Sequence, residues 1–320
     1  MPVLTRLRRL LAPTAPAASI QIASDRVTGV SLRRGQDAVL AAAVTEPLPD
    51  GALVPAANAP NMVDRDAVVG VVREVHRGLG SPTRVGLVVP DSAAKVSLTS
   101  FEQVPARTAD LDQLVRWQAR KTAPFKIEDA QVAYSAGRAL AGGGREFVVS
   151  MMRRDVVEEY EQVCAAVGGH AGVVDLASFS IVNGVLAGGA MAEGDWLLVH
   201  VAHGYSTIAV VRDGDLILFR NRPSEGDGNL ADLVHQTTMY YEDRLAGRGF
   251  QRAFLAASIG DTTRDDAETL RVSLESRLGT PVEPIDAGLA LPGDKTLLPD
   301  LVAAPVGLLL RERSATETAA

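Results

Sequence analysis

The feature that most constrains the fold of this chain is an order of elements that occurs twice. In each half, three strand-like segments precede an amphipathic helix, and a short, largely apolar strand follows that helix. The first set occupies residues 19–25, 27–34, 38–48, 65–79 and 84–90, and the second occupies residues 194–204, 206–214, 215–222, 230–247 and 252–258. The copies share no strong residue-level repeat, so the duplication is architectural. It predicts an α/β protein with two similar lobes.

A small α+β insert separates the two sets. A helix is predicted over residues 109–123, because Pro124 follows it, and two strand-like runs occupy residues 130–140 and 145–154. The glycines at 142–144 lie between these runs and indicate a hairpin turn. They lack the lysine and the following helix of a phosphate-binding loop.

Further helices are predicted beyond the insert and in the C-terminal part of the chain. They occupy residues 154–168, the end of 173–186, 265–279 and 299–312, and a short tail is expected over 313–320.

Composition excludes several classes of function. The chain has 320 residues and a formal net charge of −7, without the basic stripe that binds nucleic acid phosphates. We therefore expect no nucleic acid partner. The one cysteine, Cys164, lies in a helical pattern and supports neither an intrachain disulfide nor a cysteine-rich metal site.

Residues 1–17 form a basic segment with arginines at positions 6, 8 and 9. Pro13 and Pro16 interrupt it before the apolar stretch of a secretory signal can form, and no apolar run reaches the ~18 residues of a membrane-spanning helix. The simplest interpretation is a flexible tail. The alternative is a weak contact of residues 1–11 with an anionic membrane.

Four stretches carry a resemblance to the PilM family, in the actin-like ATPase superfamily that also contains FtsA, hexokinase and the heat-shock 70 proteins. They are residues 85–96, 110–132, 150–186 and 299–311, and the segment from Trp117 to Phe125 is the most specific. The GspL proteins of type II secretion are close relatives of this family.

The resemblance implies an actin-like (ribonuclease H-like) fold with two lobes. The first lobe would comprise residues 18–94 and 151–190, the insert residues 95–150, and the second lobe residues 191–298. The helix over 299–312 would pack back on the first lobe.

The resemblance also implies a nucleotide pocket, in which a hairpin of each lobe presents an Asp-x-Gly sequence to the phosphates. The aspartates orient Mg²⁺ or its waters, and the glycines let the backbone approach closely. Here Gln21 and His200 stand at the aspartate positions, and Ala23 and Ala202 stand at the glycine positions. The positions of the degenerate pocket are Gln21, Ala23, Ser24, His200, Gly204, Ser206, Thr207, Ala256 and Ala257.

The adenine side departs from the family pattern as well. Ala256 and Ala257 replace a common glycine pair, and the chain crosses from Asn221 to Leu230 without the family's helical segment. We therefore expect no catalytic residue, no metal site and no tightly bound cofactor. His200 and His203 would point to opposite faces of a strand, which disfavours a metal pair. The alternative left open is a weakened site that still binds MgATP through its backbone.

For function, the resemblance implies a cytoplasmic scaffold at the inner membrane that binds the N-terminal peptide of a PilN-like bitopic partner. The groove would lie between the first lobe and the insert, lined by Val88, Pro90, Arg116, Trp117, Arg120 and Phe125. Trp117 and Phe125 could instead belong to the core of the insert. Alternative functions are an ATP-using enzyme and a GspL-like secretion component. Other platform subunits and a second copy of the chain are further candidate partners.

Overall fold

The computed structural model describes residues 15–33, 40–187, 194–224, 230–258, 264–285 and 299–318. Most of the expected N-terminal tail, residues 1–14, lies outside them. The described residues form two five-stranded sheets, one three-stranded sheet and seven α-helices. This mixed arrangement confirms the predicted α/β class.

The first lobe is built on a sheet of five strands. These are β1 (Ala18–Ile22), β2 (Arg26–Leu32), β3 (Leu40–Pro47), β4 (Arg84–Val89) and β8 (His170–Leu176). Their order is β3-β2-β1-β4-β8, with the first three antiparallel and the last two parallel to β1. Ile20 and Ile22 join the core under the outer helices α1 (Arg65–Gly78) and α3 (Arg154–Ala166), so Gln21 points to the inner face.

The second lobe repeats this plan strand for strand. Its strands are β9 (Asp195–Ala202), β10 (Tyr205–Arg212), β11 (Asp215–Pro223), β12 (Arg252–Ser258) and β13 (Val282–Pro284), in the order β11-β10-β9-β12-β13. The outer helices are α5 (Leu230–Leu245) and α6 (Arg264–Leu278). The matching order confirms the duplication, although the three-residue strand β13 is too short for the sequence pattern to predict.

Two helices, α4 (Ala177–Ala187) and α7 (Pro299–Thr318), lie between the sheets. Their apolar side chains join both inner faces in one core that includes Val88, Trp196 and Leu308. The helices cross closely, since a Cβ added to Gly307 would lie 1.8 Å from the carbonyl oxygen of Ser180. The two lobes therefore share a continuous apolar core.

Helix α7 differs in two ways from its prediction. It contacts β12 of the second lobe as well as strands of the first lobe. It also continues to Thr318, so residues 313–318 are helical and not a tail. No glycine or proline follows Leu310, and nothing in the sequence therefore ends the helix at 312.

The insert consists of β5 (Lys95–Phe101), α2 (Thr108–Ala119), β6 (Ala130–Ala139) and β7 (Arg145–Arg153). Its antiparallel sheet has the order β5-β7-β6, and the glycine segment joins β6 to β7 as predicted. The edge strand β5 was missed because Ser97, Thr99 and Ser100 weaken its apolar pattern. Helix α2 ends four residues before the predicted end, in turns that precede Pro124.

Candidate functional site

The two hairpins that face each other across the lobes are in direct contact. The β1–β2 turn is closed by a hydrogen bond from the Ala23 amide to the Arg26 carbonyl, 2.9 Å long. The β9–β10 turn passes through Gly204, whose φ of 84° suits glycine. Ser24 Oγ donates a 3.0 Å hydrogen bond to the His203 carbonyl. A side-chain hydrogen bond therefore joins the two turns.

Gln21 and His200 occupy equivalent places behind the two turns. Gln21 in β1 lies beside Val88 of the parallel strand β4, and His200 in β9 lies beside Ala256 of the parallel strand β12. Both side chains are buried, with 6% and 0% of their surface exposed. Neither position supplies a carboxylate, in agreement with the sequence pattern.

A buried carboxylate does lie at this site, but it comes from Asp91. This residue begins a short 3₁₀ turn (Asp91–Ala93) directly after β4, and it is fully buried. Its carboxylate accepts bonds from the Ser178 amide (3.0 Å), the Ser178 hydroxyl and the Thr207 hydroxyl (2.7 Å). His200 Nδ1 lies 3.6 Å from the same carboxylate and 2.8 Å from Ser178 Oγ.

The network extends through polar side chains of both lobes. Asn221 Nδ2 donates to Thr207 Oγ1 (2.9 Å), and Ser92 Oγ donates to Asn221 Oδ1 (3.2 Å). Thr207 was predicted as a pocket position, whereas Asp91, Ser178 and Asn221 were not. The only sequence signal for Asp91 was an acidic residue after a buried strand and Pro90.

The charge on Asp91 is stabilised despite its burial. Burial alone raises the pKa of this carboxyl. The interaction with His200 and the hydrogen bonds from Ser178 lower the pKa by more than burial raises it, so that the net pKa lies below the usual value. The folded protein therefore keeps Asp91 ionised at neutral pH, where it can attract a donor or a cation from the opposite lobe.

A second acid, Asp300 at the start of α7, interacts electrostatically with His200. Burial raises the pKa of Asp300 to about 6, against a backbone hydrogen bond at Ala257 and attraction to His200. His200 Nε2 and Asp300 Oδ1 are buried atoms without a hydrogen-bond partner.

The hydrogen bonds of Ser178 determine which nitrogen of His200 carries a proton. Ser178 Oγ donates its proton to Asp91 and therefore accepts a hydrogen bond from His200, which places a proton on Nδ1.

The remaining predicted pocket positions have different surroundings. Ala256 faces the interlobe core, whereas Ala257 faces the outer core of the second lobe. Ser206 is partly exposed in β10, and Gly204 is exposed at the turn. Ser258 Oγ donates to the Asp300 carbonyl at 3.1 Å, which ties the start of α7 to the end of β12.

A cavity of about 400 Å³ lies between the insert and the first lobe. One wall consists of β6 and β7 residues, and the other consists of α3, β8 and α4 residues. The lining includes Ala133, Met152, Val157, Leu176 and Phe179, with Arg154, Glu158 and Glu161 at the exposed edge. These residues were not singled out from the sequence, because their contact depends on how the insert folds back on the lobe.

Asp175 also lines this cavity. Burial raises its pKa, and the guanidinium of Arg311, 2.6 Å away, opposes that effect without cancelling it. Since Arg311 belongs to α7, this ion pair connects the cavity wall to the central helix.

None of the six predicted partner-binding residues is among those that line the cavity. Val88 and Pro90 are buried, and Val88 packs in the core between the lobes. Arg116 of α2 is exposed, and Arg120, directly after α2, contacts Glu128.

The two aromatic residues of the α2 segment have different environments. Trp117 is 59% exposed beneath Lys121 Nζ, so it does not belong to the insert core. Phe125 is partly buried and packs on that core. The alternative interpretation therefore holds for Phe125 and fails for Trp117.

Comparison with known proteins places the chain in a family. The family model of the type IV pilus assembly protein PilM matches residues 19–246. The chain belongs to the PilM family. No curated protein matches the sequence.

One solved structure has the same fold over nearly the whole chain. The chain is similar to a protein of the "PilM-PilN type IV pilus biogenesis complex", with a TM-score of 0.77 and 16% identity over 94% of this chain and 99% of the other. A Bacteroides thetaiotaomicron protein with an actin-like ATPase fold gives a TM-score of 0.49 and 11% identity, with coverage of 92% and 96%. The cytoplasmic domain of EpsL, from the type II secretion system of Vibrio cholerae, gives a TM-score of 0.48 and 10% identity, with coverage of 93% of this chain and 94% of the other.

A membrane-spanning helix and a metal-binding cluster are both absent from the described residues. No helix there combines the length and the apolar character needed to cross a membrane. In the same part of the chain, no three His, Cys, Asp or Glu side chains gather in a way that could hold a metal ion.

Proposed function

We propose that this PilM-family chain is a cytoplasmic scaffold of a type IV pilus assembly platform. It would bind the cytoplasmic N-terminal peptide of a PilN-like inner-membrane protein and work without hydrolysing ATP. The observation that carries the proposal is the cavity of about 400 Å³ between the insert and the first lobe. A similar solved protein is described as part of a PilM–PilN complex, which supports this class of partner.

The cavity suits a short peptide with apolar and basic side chains. Its apolar wall, formed by Met152, Val157 and Phe179, can bury aliphatic side chains at roughly 25 cal/mol per Å². Glu158 and Glu161 at its edge favour a lysine, an arginine or a terminal amine. This location replaces the predicted surface around Arg116 and Arg120.

Peptide binding to variants of the two surfaces tests the location. Ala133→Trp should fill the cavity and reduce the affinity for the N-terminal peptide of the PilN-like protein at least tenfold in a fluorescence anisotropy titration. The matched variant, Arg116→Glu with Arg120→Glu, alters exposed side chains of α2 and should leave the affinity unchanged. The opposite pattern would return the site to α2. Binding of a GspL-system peptide in place of the pilus peptide would favour the secretion alternative.

The proposed loss of nucleotide chemistry is supported by the hydrogen bond between Ser24 and His203 and by the absence of carboxylates at positions 21 and 200. Isothermal titration with MgATP should give no saturable heat at concentrations where ATPases of this fold bind. A dissociation constant for MgATP in the low micromolar range would support the alternative, a functional ATP-binding protein of the family.

A further inference from the structure

Polar side chains from both lobes meet in the interlobe cleft and satisfy one another. Asp91 from the first lobe accepts the Thr207 hydroxyl of the second lobe, 2.7 Å away, and lies 3.6 Å from His200 Nδ1. Ser178, at the start of the interlobe helix α4, hydrogen-bonds to both Asp91 and His200. These four side chains are buried at 0% exposure, so their bonds are formed away from water.

Opening the cleft would separate charged and polar partners that nothing else in the site replaces. Asp91 would keep the two Ser178 donors, because α4 follows β8 of the first lobe, but it would lose the Thr207 hydroxyl and the contact with His200. Breaking contacts to a buried charge is unfavourable until water replaces them. The contact between Ser24 and the His203 carbonyl closes the outer edge of the same cleft. The bond from Ser92 to Asn221 is a third interlobe link beside the central one.

We propose that Asp91, Ser178, Thr207 and His200 form an interlobe latch that holds the two lobes closed in the absence of nucleotide. In an actin-like ATPase the ligand between the lobes can supply such a bridge; here the side chains supply it. The latch rests on the nucleotide-independent scaffold proposed above and deepens it. A closed cleft fixes the relative position of the two lobes, and a partner held by the first lobe and the insert would therefore meet a single preset arrangement of the second lobe.

The groups around His200 support a bridge from one lobe to the other. Asp91 follows β4, Ser178 begins α4 and Asp300 begins α7, while Thr207 and Tyr205 come from β10. The Tyr205 ring lies edge-on to the imidazole with centroids 5.7 Å apart. Burial and the Asp91 charge raise the pKa of Tyr205 well above its usual value, so Tyr205 remains neutral. The charged groups that face the imidazole are then the two aspartates.

Distance measurements between spin labels on the two lobes test the latch. Labels would be placed through Arg73→Cys in α1 and Ser276→Cys in α6, both exposed positions. Burial raises the pKa of the Cys164 thiol to about 11, so this cysteine remains protonated and should resist labelling. The otherwise unchanged chain should give one narrow distance, and MgATP should leave it unaltered.

Removal of latch groups should produce a second, longer distance. Asp91→Asn keeps the shape of the side chain but removes its charge, and it should raise the open population to about a tenth of the molecules or more. Thr207→Val removes one interlobe hydrogen bond with little change in volume, and it should give a smaller open population. Tyr241→Phe is the matched control, because Tyr241 bonds Asp195 and the Gly249 carbonyl within the second lobe and should change stability without changing the distance.

The possible results separate the latch from the scaffold. An unchanged distance in folded Asp91→Asn, or in Thr207→Val if Asp91→Asn does not fold, would overturn the latch while peptide binding remained. A distance that changes with MgATP would overturn the nucleotide-independent scaffold and the latch together. Opening in the latch variants with unchanged peptide affinity would support the latch and restrict its role to lobe arrangement.

Discussion

The first lobe has two boundaries, and they differ in how their polar groups are used. Toward the second lobe, the Asp91 carboxylate, the Thr207 hydroxyl and the His200 ring lie within 3.6 Å of a partner and away from solvent. Toward the insert, Glu158 and Glu161 are exposed beside a cavity of about 400 Å³. At the boundary with the second lobe, the polar side chains bond to one another. At the boundary with the insert, the two glutamates are exposed to solvent.

In the function proposed above, this difference is the reason why the chain binds a peptide in place of a nucleotide. Hydrogen-bond donors and acceptors that satisfy one another have little left to offer a nucleotide, whereas exposed carboxylates and an apolar wall can still gain from a partner. The side chains at each boundary decide which one can bind.

The largest effect on the boundary between the two lobes is expected from a substitution where helices α4 and α7 cross. Gly307→Ala should lower the free energy of unfolding by about 4 kcal/mol or more, because the new Cβ would lie 1.8 Å from the Ser180 carbonyl and both helices would have to shift. Urea denaturation measures the change. Gly70→Ala is the control, since no atom lies within 4 Å of its Cβ, and it should stabilise α1 by about 0.5–1 kcal/mol. Equal effects would mean that the helices separate easily.

A smaller loss is expected when only the polar contacts of this boundary are broken. Asp91→Ala should destabilise the protein by about 3 kcal/mol, because it leaves Thr207, Ser178 and His200 without their acceptor. A double variant with His200→Ala should be less destabilised than the sum of the single variants by about 1–2 kcal/mol. Strict additivity in the same denaturation assay would show that the pair is not coupled.

The pH dependence of stability sharpens the comparison at Asp300. A carboxyl whose pKa is raised from 3.8 to about 6 by folding binds its proton more tightly in the native state, so stability falls as the pH rises through that window. Asp300→Asn should remove this slope and add up to about 3 kcal/mol at pH 8, with no gain below pH 4. Ser258→Ala breaks the neighbouring bond to the Asp300 carbonyl and should shift stability equally at every pH. Melting temperatures across pH 3–9 distinguish the two.

Much of the fold could be predicted because it follows from short-range patterns. Alternating apolar residues in β1 and the continuous apolar runs of β4, β9 and β12 give the repeated order of elements directly. The substitutions at positions 21 and 200 could also be predicted, since each belongs to a local motif. The short strand β13 and the edge strand β5 could not, because their patterns are brief or polar.

The site could be predicted only where one segment contains it. Asp91 and Thr207 are 116 residues apart in sequence, and no local pattern indicates that their side chains meet. The same holds for the cavity, where Ala133 comes from the insert and Glu158 comes from the first lobe. Trp117 was noticeable as a rare residue in a specific motif, yet its surroundings depend on how α2 packs, and it is exposed.

The open boundary gives the smallest expected change, and it concerns binding only. Glu158→Lys with Glu161→Lys reverses two exposed charges at the cavity edge and should weaken a basic partner peptide about tenfold, or about 1.4 kcal/mol. The loss should shrink as salt rises from 50 to 500 mM, since exposed charges are screened over about 10 Å at 0.1 M. Arg107→Glu reverses one exposed charge of the insert outside the cavity lining and should leave the affinity unchanged. A tenfold loss that ignores salt would indicate that the peptide meets the apolar wall alone, and the two glutamates would then act by altering its shape.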